Sequence, residues 1–161
     1  MQNKNMKMNT IEDVWNAYLK KYDLPKSTPF AGECVFGGDE EESNDLTAQV
    51  LTGLKQANCV ALESYQIDME PLPVEGSRYV VTNWNGNALC VIETLKVTIL
   101  PFKDITWKMA QKESRVETMS LWEEKQVQFF EDDADLMGYD FTFDTPVLFE
   151  EFCVRYSISN K

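Results

Sequence analysis

Two hydrophobic periods meet in this chain, and the place where one gives way to the other fixes the fold class. Ile11, Val14, Trp15, Tyr18, Leu19 and Tyr22 recur at the spacing of an amphipathic helix. Thr10 is its N-cap, and Lys20 and Lys21 suit its C-terminal dipole. Leu24 to Gly38 reads as a loop with a short strand around Glu33 to Phe36. The acidic run Asp39 to Glu42 then leads into Leu46, Val50, Leu51 and Leu54, a second helical stripe. Beyond Asn58 the period changes. Cys59 to Tyr65, Tyr79 to Thr82 and Leu89 to Thr94 are rich in β-branched, apolar and aromatic residues, and Trp84-Asn85-Gly86-Asn87 supplies a hairpin turn. Val97 to Leu100 continues the β pattern. Pro101 and Asp104 open a short helix carrying Ile105 and Met109, and Met119, Trp122, Phe129 and Phe130 mark a longer one. Its acidic end, Glu131 to Asp135, reads as a solvated terminus. Phe152, Val154, Tyr156 and Ile158 alternate with polar partners as a closing strand. The order predicts an α+β domain whose sheet curls into a small barrel.

Composition then removes whole classes of chemistry. The 161 residues contain no histidine, which excludes a Ser-His-Asp triad, a Cys-His dyad and histidine-ligated zinc. Cys34, Cys59, Cys90 and Cys153 are scattered without a CxxC pair and read as buried thiols of a reducing cytosol. Fifteen basic against 27 acidic residues give a net charge of −12. That argues against broad contact with DNA or an anionic membrane, so any nucleic-acid site must be a local cationic pocket. Residues 1–8 are polar, and no window approaches the roughly 18 apolar residues of a membrane span. A cytoplasmic protein of one domain, 1–161, is expected.

Gly53-Leu54-Lys55-Gln56-Ala57-Asn58-Cys59, at the helix-to-strand junction, holds the residues that stand out. Gly53 inside a helix costs about 1 kcal/mol relative to Ala, which suggests close approach of a backbone or ligand. Lys55 in the last helical turn is either a surface lysine satisfied by the helix dipole or a functional cation. Glu93, in an apolar strand, is either buried against a partner such as Arg78 or Lys55 or directed into a cleft. Arg155 is expected to face water. Trp84 at the hairpin tip either stacks on a base or lids the barrel end.

The junction resembles the Gly-x-Lys-x-x-Thr/Ser hallmark of the ASCH domain, a branch of the PUA-like β-barrel superfamily. Gly53 and Lys55 match, and Asn58 occupies the hydroxyl position. The resemblance continues through Phe36-Gly37, Glu70-Pro71-Leu72-Pro73, Gly76, Cys90 to Thr94, Pro101-Phe102, Ala110 to Glu113, and Trp122 with Phe129-Phe130. It implies an ASCH core over residues 30–158 behind an N-terminal helical extension, 1–29, as in bacterial stand-alone ASCH proteins. The implied fold is a PUA-like small β-barrel with flanking helices, its cleft proposed to bind RNA or modified nucleosides. No cofactor or metal is implied. The expected partner is a small nucleoside or nucleotide, or a short single-stranded RNA, held by Lys55, Asn58, Glu93, Trp84 and Arg78.

Some members resemble amidohydrolases of acylated cytidine, whose motif lysine, threonine and late glutamate fall here on Lys55, Asn58 and Glu113. An amide cannot serve as a covalent nucleophile. The alternative function is therefore hydrolysis by water, with Glu113 as general base, Lys55 stabilising the oxyanion and Asn58 donating a second hydrogen bond. Related members carry a histidine in the late helix, where Gln126 stands. A third reading makes the acidic surface a docking face for a basic protein.

Overall fold

The first helix, α1 (Ile11–Lys21), starts where the sequence sets a reciprocal cap. The Thr10 hydroxyl accepts from the Asp13 N–H while the Asp13 carboxylate accepts from the Thr10 N–H. Its apolar stripe buries Val14, Tyr18 and Leu19 against Val80, Ala88 and Val91. The computed structural model describes residues 8–158, so residues 1–7 of the N-terminal extension and residues 159–161 lie outside the described chain. After β1 (Gly32–Cys34), the Asp39 carboxylate caps α2 (Glu40–Leu51), and Glu40, Glu41 and Glu42 occupy its electropositive first turn.

Gly37 ahead of α2 has φ +85°, and a Cβ there would lie 2.8 Å from the Ser43 nitrogen. Both the left-handed backbone and the close approach therefore require glycine at this point. Gly53 differs from expectation. The helix ends at Leu51, with Thr52 as its C-cap, and Gly53 follows at φ +83°. A Cβ at Gly53 would meet nothing within 4 Å. Its glycine serves the left-handed exit from a helix, and no neighbouring group crowds it.

The strand expected from Cys59 to Tyr65 is shorter. Residues Ala57–Ala61 form β2, and Leu62–Asp68 form the helix α3. Leu62 and Tyr65 are compatible with either state, and local composition did not separate them. Strand β3 (Arg78–Thr82) and β4 (Ala88–Pro101) flank the expected turn, and the two later β segments are one continuous strand. A 3-10 turn at Phe102–Asp104 and α4 (Trp107–Glu113, capped by Thr106) replace the single short helix read from Pro101. Helix α5 (Met119–Met137) follows its Thr118 cap and ends at Gly138. Strand β5 runs Pro146–Ser157, beginning six residues before the alternation that revealed it.

These strands make the expected barrel a half-barrel, a curled five-stranded sheet in the order β1-β3-β4-β5-β2. Strands β1 and β3 are parallel; β3 with β4, and β2 with β5, are antiparallel. The chain gathers into two compact units. One comprises the described parts of Met1–Gly53, Gly76–Glu93 and Cys153–Lys161, and its core is the α1 cluster given above. The other comprises Leu54–Glu75 and Thr94–Phe152. Its core gathers Cys59, Phe102, Ala110, Trp122, Phe130 and Phe149. Phe102 is its aromatic centre, stacked on Trp122 at 5.8 Å and edge-on to Phe130 at 5.6 Å. The acidic end of α5 is not wholly solvated, because Asp133 accepts from the Ser64 hydroxyl at 3.0 Å and the Tyr139 hydroxyl at 2.6 Å.

Candidate functional site

Lys55 lies past the end of α2, not in its last turn, and is buried, with 3% of its surface exposed. Its neighbour Gln56 fixes the backbone on both sides. The Gln56 N–H donates to the Lys112 carbonyl at 2.7 Å, and the Gln56 carbonyl accepts from the Phe152 N–H at 3.0 Å. The extended side chain then reaches the end of α4. Its Nζ donates to the Glu113 carbonyl and to Glu113 Oε2, each at 3.0 Å. Lys55 thus satisfies the C-terminal carbonyl of a different helix from the one that precedes it. The surface-lysine alternative does not hold.

Two residues of α5 complete the arrangement. Trp122 and Gln126 stand four apart on one helix face. The Trp122 Nε1–H donates to Glu113 Oε1 at 2.9 Å, and the Gln126 amide reaches the same oxygen at 3.3 Å. The Glu113 side chain keeps 11% exposure. One carboxylate therefore collects an ammonium, an indole and an amide. Sequence reasoning placed Trp122 only in the core; the indole N–H of a buried tryptophan needs an acceptor, and that was the available signal. Burial above all, reinforced by the Glu113 charge and partly offset by Lys55, pushes the Cys59 thiol far up. It stays protonated and is no nucleophile. Burial likewise pushes Cys90 up to about 12.

Asn58 does not share this face. Along β2, Ala57, Cys59 and Ala61 point into the helical core, so alternation turns Asn58 to the other side of the sheet. There it stands opposite Glu150 of β5. Burial raises the Glu150 carboxyl above its ordinary value, and a 2.6 Å hydrogen bond from the Thr94 hydroxyl opposes the shift. A carboxyl raised on folding stabilises fully below its unfolded value near 4.5 and loses that contribution as pH climbs through the folded one. Glu150→Gln is therefore expected to melt above the wild type at neutral pH, with the difference shrinking as the pH falls toward 4.5. Melting curves across that range check it, and a constant offset would contradict it.

The remaining expected residues belong to the first unit. Arg78 and Glu93 face each other directly across β3 and β4, but Glu93 accepts from Arg155 Nε at 2.8 Å rather than from Arg78 or Lys55. Arg155 is consequently ion-paired as well as exposed. Trp84 sits in the β3–β4 turn, 45% exposed. Among the described residues, no group of three or more Cys, Asp or Glu side chains is arranged to hold a metal, and no helix is long and apolar enough to cross a membrane.

The fold has relatives of known structure. A crystal structure of an ASCH domain from Lactobacillus crispatus JV V101 superposes with a TM-score of 0.80 at 25% identity, over 90% of this chain and 93% of that one. Protein EF3133 from Enterococcus faecalis V583 superposes at 0.82 and 28% identity, over 91% and 88%. Residues 33–156 match the ASCH domain family. The chain belongs to that family. A search of curated proteins finds no match.

Proposed function

We propose that this ASCH domain binds a nucleoside or nucleotide, free or within a short unpaired RNA element, beside the Lys55–Glu113 pair. The observation that carries this reading is the buried Lys55–Glu113 pair, with its carboxylate reached by the half-buried amide of Gln126, inside the family-matching segment. Such a rigid set of donors and acceptors suits the edge of a base. The net charge of −12 favours a small ligand over long RNA, whose affinity would draw on phosphate neutralisation. Hydrolysis is less well supported. Both Glu113 oxygens already accept hydrogen bonds from Lys55, Trp122 and Gln126, which compete with a water for the carboxylate. Asn58 lies on the opposite sheet face from the core that surrounds the pair.

The test titrates cytidine into the wild type and Gln126→Ala by calorimetry, and follows acid release from an acylated cytidine. Gln126→Ala spares the buried ion pair. It is expected to weaken cytidine roughly tenfold, the loss for one hydrogen bond worth about 1–1.5 kcal/mol. Equal binding by both proteins would remove Gln126 from the site, and no binding by either would remove the reading. Acid release by the wild type that is abolished in Glu113→Gln would establish the hydrolase instead.

A further inference from the structure

In a chain with 27 acidic side chains, a guanidinium without a partner among the described residues is unusual, and Arg78 is one. It stands directly opposite Glu93 in the β3–β4 register, on the same face of the sheet. Yet Glu93 Oε1 is held by Arg155 Nε at 2.8 Å. The side chain of Arg78 has no hydrogen bond or ion pair among the described residues, and its Nε is buried without an acceptor. A buried, unsatisfied donor is costly. Two guanidiniums against one carboxylate leave a local positive excess where the chain as a whole is strongly negative. The group is also reachable, since the Arg155 side chain is 47% and the Glu93 side chain 20% exposed.

We propose that Arg78 and Arg155, flanking Glu93, form a binding site for a phosphate monoester, the group that a mononucleotide carries. The oxyanion character of the site follows from the two arginines alone; the choice of phosphate over carboxylate rests on the nucleotide reading above. The guanidinium fork matches two oxygens of one phosphate, which a lysine would not. Because its Nε is shielded, Arg78 turns outward to engage the ligand, and that movement ends its lack of an acceptor. Arg155 keeps Glu93 on its Nε and offers its terminal nitrogens. Glu93 positions Arg155 and, by like charge, limits how tightly the phosphate is held.

The experiment titrates inorganic phosphate, cytidine and cytidine monophosphate into the full chain, following the side-chain Nε–H resonances of Arg78 and Arg155 by NMR. Saturable displacement of both resonances by inorganic phosphate and by cytidine monophosphate is expected, with no displacement by cytidine. Arg78→Met should abolish the phosphate-dependent displacement of the Arg155 resonance. Arg78→Lys, which keeps the charge and guards against misfolding of the first variant, should lose most of the binding. Glu93→Gln should tighten phosphate roughly fivefold, the effect of removing one like charge at about 4 Å in water. No saturable response, unchanged phosphate binding by Arg78→Met, or weaker binding by Glu93→Gln would each overturn the proposal. Cytidine binding seen by calorimetry, without displacement of these resonances by phosphate or the monophosphate, would leave the nucleoside reading standing and remove this site. Phosphate binding without cytidine binding would do the reverse.

Discussion

Lys55→Met is expected to cost about 3–5 kcal/mol of stability, because it strips the only cation paired among the described residues with a carboxylate largely withdrawn from water. At about 2–4 °C per kcal/mol for a chain of this size, the melting temperature should fall by roughly 6–20 °C. The expectation is sharp because an exposed pair would contribute only about 0–1 kcal/mol, and the two cases separate cleanly in a urea titration. The burial of Lys55, 3% exposed, puts it in the first class. The Glu113 carboxylate, at 11%, retains some water and pulls the cost toward the lower end. Adding Glu113→Gln to Lys55→Met should recover much of the loss, since the double variant leaves no charge to desolvate. A loss under about 1 kcal/mol for Lys55→Met alone would show that the pair behaves as a surface contact.

Trp122→Ala should be at least as damaging, at about 3–5 kcal/mol. The ring is 1% exposed and stacked on Phe102, so its removal opens a cavity at the aromatic centre of the core. Trp122→Phe separates the two roles of the residue. Phenylalanine keeps the stacking surface and loses the donor to Glu113, at a cost of about 1–3 kcal/mol. Since that part acts through Glu113, Trp122→Phe and Lys55→Met should not add; a coupling of about 0.5–3 kcal/mol is expected from a double-mutant cycle. Strict additivity would mean that the indole N–H contributes nothing to holding the carboxylate.

What the sequence reveals and conceals here follows from how locally each feature is determined. Helix α1 is legible because its stripe, cap and charged ends all agree. The first half of β5 is hidden by Glu150 and Glu151, two adjacent acids that break any apolar alternation. They accept hydrogen bonds from residues distant in the chain, Glu150 from Thr94 and Glu151 from Lys112. Helix α3 is hidden because Leu62 to Tyr65 suit a strand as well as a helix, and tertiary context decides. Lys55 and Glu113 could be singled out from the family resemblance, but their pairing through the end of α4 depends on where α2 stops, and Gly53 was read one element too far inside. The facing of Asn58 depends on strand phase, which a one-residue slip of β2 against β5 would reverse.

The strand order also bears on how the molecule is made. Strand β2 has β5 as its neighbour, and 84 residues separate Ala61 from Pro146. At translation rates of about 5–20 residues per second, β2 waits on the order of ten seconds before its partner exists. The first unit likewise needs Cys153 and the residues after it. Emerging piece by piece from the ribosome, neither unit can close early. Synthesis therefore leaves an unzipped sheet margin exposed until β5 has emerged.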